Sequence, residues 1–248
     1  MTQPDAEDWF ASWFGKEYLE LYPHRDEEEA ERAVELIVRH ARLSAGEPAL
    51  DLACGAGRHV AALREAGLGA LGLDLSEDLL ALAVGDGLPV VRGDMRVLPI
   101  ATGSLCLVTS FFTSFGYFED PADDETVMEE VRRVLAPGGV FAVDFLNADR
   151  VRAELRERDQ IEIGRRRVVQ TRALVDGGSV VQKRIEIMEQ GRAQPRVFIE
   201  RVRLYGADDL AALIGRHGMV LERAFGDYDG GPLTSDAPRA ILIGRVAA

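Results

Sequence analysis

Apolar positions along the chain fall into three successive regimes. In the first, from about Asp5 to Leu21, the residues Trp9, Phe10, Trp13, Phe14 and Leu21 recur at roughly helical spacing until Pro23 ends the pattern. A second helix is predicted after Asp26, its N-cap, with Glu27, Glu28 and Glu29 in the first turn, where the helix dipole favours negative charge. Its apolar stripe is Ala30, Ala33, Val34, Ile37, Val38 and Ala41. The second regime is a series of short apolar runs, Ala49–Ala53, Ala70–Asp74, Val90–Gly93, Leu105–Phe112 and Val140–Phe145, with helical patterns at Arg58–Ala66, Glu77–Val84 and Asp123–Leu135 between them. Runs this continuously apolar are buried on both faces, as in a parallel sheet. Their alternation with helices predicts βαβ units and a doubly wound α/β sheet.

After Asn147 the period changes to two. Arg166–Val175, Ser179–Met188 and Arg196–Tyr205 alternate apolar and polar positions, with Asp176-Gly177-Gly178 and a segment holding Gly191 and Pro195 between them. These are hairpin signals, so an antiparallel meander with one wet face is expected. A helix at Ala207–His217 and strands at Leu221–Phe225 and Ala240–Val246 then complete the chain. The expected organisation is a helical cap over 1–46, an α/β core over 47–147, an inserted antiparallel lid over 148–205, and a return to the core over 206–248.

Composition narrows the function. The 248 residues suffice for one large domain, and 47% apolar with 29% charged residues is ordinary for a globular chain. No apolar run reaches the ~18 residues of a membrane span, and the acidic N-terminus lacks the order of a secretion signal. Two cysteines, Cys54 and Cys106, make neither a disulfide framework nor a metal site, so a reducing cytoplasm and no metal are expected. A net charge of −13 opposes nucleic-acid binding. The predicted lid departs from that balance, with 14 basic against nine acidic residues between Ala148 and Tyr205. These arginines either solvate strand faces or draw in an anionic small substrate.

The chemistry concentrates at three strand ends. Leu50-Asp51-Leu52-Ala53-Cys54-Gly55-Ala56-Gly57-Arg58-His59 is a strand ending near an acid, then a Gly-x-Gly turn leading into a helix. Glycine lets the backbone bend tightly and lets a ligand approach without a Cβ in the way. The dinucleotide fingerprint wants a small residue where Val60 stands, which counts against a pyrophosphate seat. Asp74 closes the second strand about twenty residues on, where a carboxylate can accept from both hydroxyls of an adenosine ribose. Asp94 closes the third strand in Gly93-Asp94-Met95 and can accept from an adenine amino group while Met95 packs on the ring. One aspartate at a strand end reads as a helix cap; three, on three successive strands, read as one crevice.

With Val134-Leu135-Ala136-Pro137-Gly138-Gly139, these segments resemble the ordered motifs of class I S-adenosylmethionine-dependent methyltransferases, over about 48–146 and again over 206–246. The resemblance implies a mostly parallel seven-stranded sheet with the last strand antiparallel, S-adenosylmethionine as cofactor, and no metal. It sets Gly55 and Gly57 against the methionine part, Asp74 on the ribose, and Asp94 with Met95 on adenine, with Asp51, Ala53, Arg58, Leu75 and Phe111 completing the site. The meander is similar to the lid of small-molecule members. Ser114-Phe115-Gly116-Tyr117, and Tyr18 to Tyr22 with Arg25, are similar to stretches of small-molecule N-methyltransferases, including those that dimethylate amino sugars. The Asn-Pro-Pro-Tyr of enzymes acting on planar amides or nucleobase amines is missing, which disfavours RNA methylation.

The acceptor expected is therefore a small molecule, by N- more than O-methylation, on a monomer or homodimer. Tyr117 and Tyr22 are the candidate catalytic residues, ahead of His24 and Tyr228, should a base be needed. Tyr228, in the loop Gly226–Pro232, and Arg166 are the candidate acceptor contacts. The alternatives are a nicotinamide oxidoreductase on a similar sheet and a non-catalytic S-adenosylmethionine-binding module.

Overall fold

The computed structural model describes residues 9–22, 27–192 and 194–247. The expected helix start at Asp5, the break at Pro23, the cap at Asp26, and His24 and Arg25 lie outside the described residues. The aromatic N-terminal stretch is two short helices rather than one, α1 (Trp9–Trp13) and α2 (Lys16–Leu21). Gly15 is extended between them, and the Ser76 hydroxyl donates to the Phe14 carbonyl at 2.6 Å, so the first helix ends on a tertiary partner. The acid-led helix α3 (Glu27–Ala41) follows the predicted stripe and also buries Leu36.

The strand–helix alternation appears as β1 (Pro48–Leu52), α4 (Arg58–Glu65), β2 (Gly69–Asp74), α5 (Glu77–Gly85), β3 (Val90–Arg92), β4 (Leu105–Ser110), α6 (Pro121–Val134) and β5 (Leu135–Leu146). The fifth strand begins five residues before Val140, where it was expected. Leu135 pairs with Leu105, and a register shift lets Leu107 meet Val140, so the Pro-Gly-Gly segment is a bulge within the strand and not a turn before it.

After α7 (Ala148–Glu154) the chain makes four antiparallel strands, β6 (Arg158–Ile163), β7 (Arg166–Val175), β8 (Val180–Glu189) and β9 (Arg196–Arg203). The meander was expected to have three. The sequence of β6, Arg-Asp-Gln-Ile-Glu-Ile, is too polar to signal a strand, and its pairing to β7 supplies what its side chains do not. The last elements are α8 (Ala207–Arg216), β10 (Met219–Phe225) and β11 (Arg239–Val246).

The main sheet runs β10-β11-β5-β4-β1-β2-β3, parallel from β5 to β3, with β11 antiparallel to both neighbours. Strand period two splits its side chains between two cores. Leu50, Leu52, Val108, Phe141 and Phe145 pack under α6 and α8, while Ala49, Ala70, Leu107, Val140 and Ile243 pack under α3 and α4. A third cluster joins cap to lid, with Trp9, Trp13, Leu21 and Tyr22 against Val168, Ile185 and Ile187. Among the described residues no helix is long and apolar enough to cross a membrane.

Gly72 in β2 stands opposite Asp51, and a Cβ there would lie 2.6 Å from Cys54 Sγ and 2.8 Å from Val60 Cγ2. Gly72→Ala is expected to lower stability by about 1–3 kcal/mol through overpacking, read as a lower urea midpoint at unchanged slope. A midpoint equal to that of the parent chain contradicts this packing.

Candidate functional site

The turn after β1 is held by backbone conformations that favour glycine. Ala53, Gly55 and Gly57 have φ of 54°, 57° and 88°. At Gly57 a Cβ would also lie 2.6 Å from Leu88 Cδ1. Asp74 braces this turn. Its Oδ2 accepts from the Gly55 N–H at 2.8 Å and its Oδ1 from the Ser76 N–H at 2.7 Å, at the N-cap of α5. Burial raises the Asp74 pKa above the ordinary carboxylate value, against backbone N–H groups of Ser76, Gly55 and Leu75 that pull it down. Three N–H donors leave the carboxylate lone-pair capacity for a ligand hydroxyl.

Asp51 lies beneath the turn, 1% exposed. The Thr109 hydroxyl donates to its Oδ1 at 2.9 Å, while Oδ2 is buried with no hydrogen-bond partner. Burial pushes its pKa up to about 7, with Asp74 adding to the rise and Thr109 and Arg58 opposing it. Asp94 follows β3. Its pKa is lowered: burial acts to raise it, but the hydrogen bonds and charge of Arg96 prevail.

One cavity of about 1000 Å³ brings most of the predicted residues together. Ala53, Gly55, Gly57, Arg58, Asp74, Leu75, Asp94, Met95, Phe111 and Tyr117 all line it. Gly55, Asp74 and Asp94 therefore open on the same space. Aromatic rings also line it: Phe10, Phe14 and Tyr18 come from the cap, and Tyr117 and Phe118 from the segment after β4. The Phe14 and Tyr117 rings stack at 5.6 Å, and Tyr18 meets Phe14 edge-on at 4.8 Å. His59 also lines the cavity, stacked on Phe111 at 4.2 Å; burial holds its pKa well below the ordinary value, so its ring is neutral.

Asp51, Tyr22, Tyr228 and Arg166 do not line the cavity. Tyr22 sits in the cap–lid cluster, with its hydroxyl accepting from the Lys183 ammonium and its pKa raised by burial. Arg166 pairs with Glu17 and Glu20 of α2. The Tyr228 hydroxyl donates to Asp144 Oδ2 at 2.7 Å. Other lid arginines pair within the lid, Arg167 on Glu162, Arg172 on Asp159 and Arg201 on Asp176. Among the described residues no cluster of His, Cys, Asp or Glu could hold a metal.

Asp144, which does not line the cavity but bonds to Phe112, which does, is the residue that sequence reasoning missed. It is 1% exposed, and its signal was a lone acid inside the apolar run Val140–Phe145. Phe112 and Thr113 follow β4 with φ of 59° and 65°, a conformation costing roughly 1–3 kcal/mol for such residues. Asp144 holds them there. Its Oδ2 accepts from the Phe112 N–H at 2.9 Å and its carbonyl from the Thr113 N–H at 2.9 Å, while Arg239 Nε donates to Oδ1 at 2.7 Å.

Residues 49–139 match the family model described as a methyltransferase domain. Among curated proteins, the chain is 33% identical over 132 residues to a dTDP-3-amino-3,6-dideoxy-alpha-D-glucopyranose N,N-dimethyltransferase of Streptomyces fradiae, covering 52% of this chain and 48% of that one. The chain spans about half the length of the curated relatives it matches. Among solved structures, the CcbJ methyltransferase of Streptomyces caelestis superposes with a TM-score of 0.78 at 18% identity, over 99% of this chain and 100% of that one. The sugar N-methyltransferase KedS8 of Streptoalloteichus gives 0.71 at 23% identity, over 94% and 92%. At these identities the two structures share the fold.

Asp144→Ala is expected to cost roughly 3–5 kcal/mol, because Arg239 is left buried and unpaired; denaturant unfolding measures it, and a loss below 1 kcal/mol contradicts the brace. Asp51 gives a pH signature. Its folded pKa of about 7 exceeds the reference value of 3.8, so between these values the folded chain holds a proton the unfolded chain has released. Stability contributed by that proton falls as pH rises through the window. The parent chain should therefore lose more stability than Asp51→Asn between pH 4 and 7; equal slopes contradict a raised pKa.

Proposed function

We infer, from the methyltransferase domain at residues 49–139 set in a class I methyltransferase fold, that this chain binds S-adenosylmethionine and passes its methyl group to a small-molecule amine. The observation that carries the reading is the glycine turn, Asp74 and Asp94 opening on one cavity that aromatic rings also line. The residues fit the cofactor. The bare backbone at Gly55 lines the cavity with no side chain to fill it, glycine at Gly57 is required by packing against Leu88 and Ala83, and Asp74 keeps lone-pair capacity beside the turn.

In this reading Asp74 accepts from the ribose hydroxyls, each charge-assisted bond contributing about 1.5–3 kcal/mol. Asp94 accepts from the adenine amino group and Met95 covers the ring. Gly55 and Gly57 border the methionine part, with Ala53, Arg58, Leu75 and Phe111 as neighbours. S-adenosylmethionine supplies an electrophilic methyl group on a sulfonium. The chain's contribution is alignment, which can be worth on the order of 7–11 kcal/mol. Phe14, Tyr18 and Tyr117 hold the acceptor against the donor and exclude water.

An amine acceptor suits this cavity better than a hydroxyl. A neutral amine needs no base, and two of the candidate bases, Tyr22 and Tyr228, lie outside the cavity, while His59 lines it with its ring stacked on Phe111. Tyr117 then acts by position. The S. fradiae relative, named for N,N-dimethylation of an amino sugar, and the sugar N-methyltransferase neighbour lean the same way. Charge favours a neutral or cationic acceptor over an anionic one. The lining carries Glu27, Glu28, Glu65, Asp74, Asp86 and Asp94 against Arg58 and Arg64, and Arg166 is occupied by the cap.

Incubation with methyl-labelled S-adenosylmethionine and a panel of small amines and alcohols tests the activity; label on amines is expected. A thermal shift with NAD but none with S-adenosylmethionine sinks the reading in favour of an oxidoreductase. Donor binding without transfer to any small molecule favours a binding module. Asp74→Ala is expected to weaken S-adenosylhomocysteine binding at least tenfold, or about 1.4 kcal/mol, with the circular dichroism spectrum retained. Unchanged affinity in the folded variant removes Asp74 from the ribose.

A further inference from the structure

Arg96 stands behind Asp94 and grips it with unusual completeness. Its Nε lies 3.1 Å from both carboxylate oxygens, its Nη2 donates to Oδ2 at 2.7 Å, and its backbone N–H donates to Oδ1 at 2.8 Å. Such a grip fixes the plane of a carboxylate as well as its charge. The remaining Nη1 donates at 3.0 Å to Asp123, in the first turn of α6. With Arg96 shared between two acids, the group of three keeps a net negative charge, so Asp94 remains an attractive acceptor. The guanidinium also lies 4.6 Å from the ring centre of Phe118, which meets Phe10 of the cap edge-on at 5.6 Å. Phe118 and Phe10 both line the cavity.

Resting on the cofactor reading above, we propose that Arg96 is a positioning residue that sets recognition of the adenine amino group by orienting Asp94. Asp94 follows a strand of only three residues, β3, whose other neighbour position in the sheet is an edge. Without the guanidinium only the backbone N–H of residue 96 still holds Oδ1, and the part-exposed Oδ2 loses its donors, so the carboxylate is less well aligned before the ligand arrives. A preorganised acceptor rewards a ligand that carries the amino group and gives nothing to one that lacks it. The same guanidinium leans on Phe118, so the acid that reads the base and the aromatic wall facing the acceptor share one support.

Calorimetry with S-adenosylhomocysteine and with its 6-deaminated analogue, hydrogen replacing the amino group, tests the proposal. The parent chain is expected to prefer the amino-bearing ligand at least tenfold. In Arg96→Ala that preference should fall to about threefold or less, because binding of the first ligand weakens while that of the analogue barely moves. Arg96→Lys, which keeps the charge but not the grip on both oxygens, should fall between, and it carries the test if the alanine variant does not fold. A preference unchanged in a folded Arg96 variant overturns the proposal and leaves the cofactor reading standing. Failure of the parent chain to bind S-adenosylhomocysteine at all overturns both.

Discussion

Asp74 joins two strands' worth of site through two short hydrogen bonds. The turn after β1 places Ala53, Gly55 and Gly57 in left-handed conformations, with the Cys54 N–H bonded to the Leu73 carbonyl and the Gly57 N–H to that of Cys54. Accepting from Gly55 on one side and Ser76 on the other, the carboxylate of Asp74 fixes that turn to the first turn of α5. The parallel register of β1 and β2, Leu52 beside Leu73, makes the reach possible, since both strands end at the same height. In an open α/β sheet the crevice beyond the carboxyl ends of the strands is where ligands bind. Asp74 gives that crevice its floor, and the ring of other contacts is built upward from it.

The walls are held by a second buried acid. Asp144 keeps Phe112 and Thr113 in their strained turn, and Tyr228 and Arg239 keep Asp144 in place. Tyr228 thus bears on the cavity from one shell away, through the strand β5. The cap closes the far side in a similar way. Its tryptophans and Tyr22 pack on the lid, and two of the lid's arginines, Arg166 and Arg196, pair with Glu17 and Glu20 of the cap. Half-buried Lys183 pairs with Glu200 on the neighbouring strand, and Trp13 Nε1 donates to Glu200 at 2.6 Å. The lid is therefore bolted to the cap by charge as well as by apolar contact.

Much of this was legible in the order of residues, for identifiable reasons. Strands buried on both faces leave long apolar runs, and the acids and glycines at their ends break those runs abruptly, so β1, β2 and the turn at Gly55 stood out. What the sequence hid depends on partners distant along the chain. The polar strand β6 exists because β7 offers a ladder. The kink at Gly15 exists because Ser76 takes the Phe14 carbonyl. Asp144 looked like one more strand residue until Arg239, ninety-five positions on, appeared beside it. Tyr22, Tyr228 and Arg166 carried the right chemical groups, and only packing reveals that those groups already have occupants.

In the proposed reading the glycine turn, Asp74 and Asp94 form a single seat for one adenosine. A crystal structure of the chain grown with S-adenosylhomocysteine reads this directly. The ribose is expected on the Asp74 carboxylate, the adenine amino group on Asp94 with Met95 over the ring, and the sulfur turned toward Phe14 and Tyr117. Density for the nucleoside in any other cavity, or a ribose with no contact to Asp74, contradicts it.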